Sequence, residues 1–112
     1  MKKIFTALIC LGSAYLAAQA SVDHTDPDMN AELTRPPQKV RIWFDVPLDG
    51  KENSIQVKDE KMNRVDKNDT YLFAPKAIEV SLGDLKPGLY YVFWNAYSNN
   101  KHTTGDFQFN VK

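Results

Sequence analysis

The sequence predicts an all-β protein, a single antiparallel Greek-key sandwich of about seven strands. Three observations predict it. Apolar residues recur with period two in several short runs, the breaks between runs are made of turn residues, and beyond the first twenty positions no stretch of ten residues has helical periodicity. Such alternation leaves one face of each strand apolar. Two sheets closed on those faces make the immunoglobulin-like arrangement.

Met1 to Ala20 reads as a secretory leader rather than part of the fold. Lys2 and Lys3 form a positive start, Ile4 to Leu16 an apolar run, and Ala18-Gln19-Ala20 a small-x-small cleavage site. The run is shorter than the roughly 20 residues that cross a bilayer, which argues against a retained anchor. Cys10 lies inside the run with too little of it upstream to be an acylated lipoprotein cysteine. Ser21 to Lys112 is then one exported domain with room for a modest core. The chain's one cysteine leaves with the leader, so the domain has neither disulfide nor thiolate ligand.

Ser21 to Gln38 is polar and carries Pro27, Pro36 and Pro37, so no strand is predicted there. Val40, Ile42 and Phe44 alternate with Arg41, Trp43 and Asp45. Ile55 and Val57 alternate with Gln56 and Lys58, and Ile78, Val80 and Leu82 with Glu79, Ser81 and Gly83. Tyr90, Val92, Trp94 and Ala96 form one face of the longest strand, and Phe107, Phe109 and Val111 one face of the last. Shared parity predicts a core of Phe44, Val92, Trp94, Phe107 and Phe109. Trp43 and Phe93 have the opposite parity and face the other side of their sheets or a partner. Pro47-Leu48-Asp49-Gly50, Glu60 to Asn63, Asp66 to Thr70, Ala74-Pro75-Lys76 and Lys86-Pro87-Gly88 supply the turns. The polar stretch Ser98 to Gly105 reads as the connection between the last two strands.

Charge excludes some functions. The full chain has a formal net charge of zero, and losing Lys2 and Lys3 leaves it slightly acidic. Nothing suggests a nucleic-acid surface or a polybasic membrane patch. The domain has no Gly-rich phosphate loop, no His-x-x-x-His and no motif that spaces a pair of carboxylates. Ser98, His102 and Asp106 could be imagined as a hydrolase triad, but they have neither nucleophile elbow nor oxyanion-hole signature. The protein is therefore not read as an enzyme. His24, near the new terminus, and His102 are the only imidazoles. Loops cluster at the two ends of a sandwich, so one loop can approach a chain terminus there.

The last third adds a specific pattern. Leu85-Lys86-Pro87-Gly88-Leu89-Tyr90, then Val92, Trp94, Ser98, Asn100 and His102, then Gly105, Phe107, Phe109 and Val111, resembles the CopC family's L-x-P-G-x-Y-x-V-x-W, S-x-D-x-H and G-x-F-x-F-x-V. Pro27, Ala31, Leu33, Pro37, Val40, Ile42, Phe44, Pro47 and Leu48 match its N-terminal half. The resemblance implies a periplasmic β-sandwich that binds copper, Cu(II) above all, in resistance or homeostasis. Its partners would be the copper ion and an inner-membrane copper transport protein, and it would be a monomer. The family's Cu(II) clamp joins an N-terminal histidine and its amine to the Asp and His of the S-x-D-x-H turn. His102 matches that histidine. Asn100 stands where the family has Asp, a neutral amide in place of an anionic oxygen. The family's terminal histidine would align near Gln19, inside the leader. The resemblance thus implies a metal site of His102 and Asn100, with His24 and the Ser21 amine as substitutes. Met29 and Met62 are the only methionines after the leader, so a methionine-rich Cu(I) site is not expected.

Overall fold

The computed structural model describes residues 19–112, so of the predicted leader only Gln19 and Ala20 fall within it. Eight strands follow: β1 (Val22–Asp26), β2 (Ala31–Leu33), β3 (Lys39–Phe44), β4 (Ser54–Lys58), β5 (Tyr71–Ala74), β6 (Ala77–Ser81), β7 (Gly88–Ser98) and β8 (Lys101–Val111). They form two four-stranded sheets, ordered β1-β3-β6-β5 and β2-β8-β7-β4. The alternating runs became β3, β4, β6, β7 and β8, as their period requires.

The predicted core is present. Phe44, Val92, Trp94, Phe107 and Phe109 are buried together, with Val40, Ile42, Ile55, Val57, Ile78 and Val80 filling the space between the sheets. Phe44 meets Trp94 edge-on at 5.2 Å between ring centroids, and Tyr90 stacks on Phe109 at 5.5 Å. Gly105 lies opposite Trp94 across the β7–β8 pair, and a Cβ there would enter the indole. The glycine is what lets that ring lie flat on its neighbouring strand. At the other end of β7 the Tyr90 hydroxyl donates to the Lys86 carbonyl at 2.6 Å, pinning the Lys86-Pro87-Gly88 turn to the strand it starts.

Three features differ from expectation. The polar leading segment forms two strands, β1 on β3 and β2 on β8. Both are short edge strands, which need only one ladder and little apolar surface, so composition hides them. The β2–β8 pair is parallel, because the chain crosses from one sheet to the other between β1 and β2 and runs beside the last strand; the expected purely antiparallel sandwich is corrected here. Finally, Ser98 to Gly105 is not a loop. Strand pairing continues up to Ser98↔Lys101, leaving only Asn99-Asn100 as the turn.

The outer faces are also organised. Glu79 points away from the core, yet its side chain is only 2% exposed. It lies under Arg41 Nε at 2.7 Å, the Tyr71 hydroxyl at 2.8 Å and Lys39 Nζ at 3.0 Å, donors brought by β3 and β5 on either side of β6. Burial pushes the Glu79 carboxyl up, but hydrogen bonds from Lys39, Tyr71 and Arg41 outweigh that and hold it below the ordinary range.

Candidate functional site

Asn99-Asn100 forms a two-residue hairpin turn with φ of 54° and 63°. A turn that matches the strand twist needs positive φ at both central positions, and asparagine tolerates this better than most residues. The turn fixes the register Tyr97↔His102 and Asn95↔Thr104. Ala96 and Ser98 of β7 face the core, so Asn95, Tyr97 and His102 share the outer face of the second sheet.

His102 is exposed. Its ring stacks on Tyr97 with centroids 4.4 Å apart and planes 4° from parallel. Its Nε2 lies 2.8 Å from Asn95 Oδ1. Asn95 Nδ2 in turn donates to Ser54 Oγ on β4 at 3.1 Å. The loop before β4 ties the same end together. Asp49 N–H donates to the Tyr97 carbonyl at 2.7 Å, and the Asp49 carboxylate accepts the N–H groups of Asn99 and Asn100 at 3.3 and 3.4 Å. Asn53 Oδ1 accepts the Tyr97 N–H at 2.8 Å. Asp49, Lys51, Glu52, Tyr97 and Asn100 line an open hollow beside the turn.

The other candidates lie elsewhere. Ser21 is at the same end of the sandwich. Its N–H donates to Asp45 Oδ1 at 2.8 Å, just after β3, and Ser98 Oγ donates to the carbonyl of nearby Pro47. Ala20, placed in the leader by the sequence, is buried against the core. His24 is on β1 in the first sheet. Its neighbour Thr25 faces the core, so His24 points outward, stacked on Trp43 at 4.2 Å with Nδ1 2.7 Å from Asp23 Oδ2. His24 and His102 therefore occupy opposite outer faces and are not brought together. No group of three or more His, Cys, Asp or Glu side chains with metal-holding geometry occurs among the described residues. Nor are Ser98, His102 and Asp106 assembled as a triad. The Ser98 hydroxyl is turned inward onto the Pro47 carbonyl, while His102 and Asp106 face out, Asp106 opposite Phe93.

Asn95, Tyr97, Ser54 and Asp49 were not singled out from the sequence. A signal existed for two of them. Had Asn99-Asn100 been read as a two-residue turn, counting back by pairs would have set Tyr97 opposite His102 and Asn95 diagonal to it.

The comparisons decide what kind of chain this is. The CopC domain family model matches residues 22–112, nearly all of the described chain. The chain belongs to the CopC family. Its fold matches CopC from Methylosinus trichosporium OB3b with a TM-score of 0.74 at 18% identity, covering 84% of this chain and 94% of that one. It also matches PcoC, a methionine-rich copper resistance protein from Escherichia coli, with a TM-score of 0.73 at 22% identity, covering 85% of this chain and all of that one. No curated protein matches. The matched region includes all of β7, whose Tyr90, Val92 and Trp94 are buried in the core.

Proposed function

We propose that the protein is a periplasmic copper-binding protein of the copper-resistance or homeostasis type, which sequesters or hands over copper and performs no catalysis. Family membership supports the class. One observation supports the site: His102, which by sequence resembles the family's turn histidine, is exposed and held by Tyr97 and Asn95 beside the 99–100 turn. Imidazole nitrogen is a favoured donor for Cu(II).

The donor set fits a one-imidazole anchor rather than a complete clamp. Asn100 would add a neutral amide oxygen, which does not offset the ion's charge. A free Ser21 amine, produced by cleavage after Ala20, would lie where Ser21 N now meets Asp45, and its ammonium would pair with that carboxylate. His24 could only serve a second, separate site on the other sheet. Affinity should then fall well below that of a full family site, and acid should weaken it further, because protons compete for the imidazole.

The same facts favour a second reading: a CopC-like domain that has lost tight copper binding and serves as an interaction module for an inner-membrane transport partner. A Cu(II) titration of the processed protein, with the terminus verified by mass, separates the two. We expect His102→Ala to abolish the d–d absorption and the paramagnetic resonance signal of bound Cu(II), and His24→Ala to leave both largely intact. Wild type that binds no tighter than the double variant would leave only the module reading.

A further inference from the structure

We propose that Asn95 is a positioning residue that fixes the tautomer of His102 and leaves Nδ1 as its single open coordinating nitrogen; the inference rests on the copper reading above. The relay crosses three adjacent strands. Ser54 on β4 pairs with Asn95 on β7, and Asn95 lies diagonal to His102 on β8. With Nδ2 donating to Ser54 Oγ at 3.1 Å, Asn95 turns its carbonyl Oδ1 toward His102, 2.8 Å from Nε2. A carbonyl oxygen can only accept, so Nε2 carries the proton. The lone pair of the neutral ring is then on Nδ1, which makes no hydrogen bond among the described residues. The Tyr97 stack restrains the ring plane. Metal-bound histidines generally donate their second nitrogen to such an acceptor, which sets tautomer and ring orientation. Here that arrangement exists before any ion binds.

The motif alone does not supply this device. It requires a short polar side chain at position 95, a hydroxyl at 54 to orient the amide, and an aromatic ring at 97. The three residues come from two strands far apart in sequence, and only the ordering β4-β7-β8 sets them beside His102.

The test begins with metal-free protein. Nitrogen-15 correlation spectra of the imidazoles should show His102 protonated at Nε2, with that proton slowed in its exchange with water. Asn95→Leu should lose the slowed proton, whereas Asn95→Asp, which keeps an acceptor oxygen, should retain it. Ser54→Ala should give an intermediate result, because the amide is no longer oriented. Titrated with Cu(II) alone, Asn95→Leu should bind about tenfold more weakly than wild type, within the range typical for loss of such a partner. A proton found on Nδ1, or a slowed Nε2 proton that survives Asn95→Leu, would overturn the proposal. Wild type that shows the slowed Nε2 proton yet takes up no copper would leave the tautomer assignment standing and remove the reading it serves.

Discussion

Gly105 and Trp94 act as one unit at the residue scale. The buried indole lies against β8, and the strand can pass it only because position 105 has no Cβ. Two predictions follow from that contact. Trp94→Ala should cost about 3–5 kcal/mol, as a large-to-small change in a buried site. Gly105→Ala should cost about 1–3 kcal/mol by forcing the ring out of its place. Denaturant unfolding of both variants checks the pair, and the double variant should lose less than the sum, because removing the ring removes the clash. Among candidate ligands, His102 stands out in the sequence because a motif surrounds it. Its partners were not, since Asn95 and Tyr97 have no pattern of their own and gain meaning only from the register of the hairpin.

At the scale of elements, the edges explain most of what the sequence concealed. β4 is an edge strand of the second sheet, and the chain after it covers that edge with side chains. Asp66 Oδ2 accepts the Val57 N–H at 2.8 Å, Thr70 Oγ1 accepts the Ile55 N–H at 3.0 Å, and the Val65 N–H donates to the Val57 carbonyl at 2.8 Å. Arg64 pairs with Asp66, whose side chain is fully covered. This blunts an edge that would otherwise offer a ladder to another chain. Asp66→Ala should cost about 1–3 kcal/mol, through the buried donors it leaves unpaired. It should also make the protein associate at high concentration, which sedimentation velocity would detect; a variant as stable and as dispersed as wild type would refute the capping role. The 66–70 segment read as a polar turn is thus part of the sheet's defence. β1 and β2 escaped the pattern for a related reason: an edge strand with one covered neighbour can be polar at most positions.

Across the whole molecule the hydrogen-bonded carboxylates Asp66, Asp69 and Glu79 set the acid limit. Burial raises Asp66, but Arg64 and the backbone N–H groups of Val57 and Asn68 bring it below the ordinary carboxylate range. Bonds from Ser81 lower Asp69, and the Lys39, Tyr71 and Arg41 set lowers Glu79. Each group binds its proton more weakly folded than unfolded. The stability each contributes is present above the unfolded value and is lost as pH falls through the folded one. Denaturation midpoints should therefore be flat near neutrality and fall steeply below about pH 4. Glu79→Gln should lower the neutral plateau and flatten the acid limb; an unchanged limb would show that Glu79 does not contribute to it.

The sequence by itself determined the sandwich and the inward faces of β3, β4, β6, β7 and β8, because alternation states which residues must leave water; its motifs pointed to the family. It put His102 in a polar connection from Ser98 to Gly105, where the structure has a strand residue beside the two-residue turn Asn99-Asn100. Tertiary structure alone decided which sheet each strand joins. Period two says in or out but never which of two sheets, and that choice depends on pairing between residues far apart in the chain. Hence His24 and His102, two imidazoles that looked like one site, stand on opposite faces. Hence too Ser54 and Asn95, 41 residues apart, meet beside His102 and hold its ring.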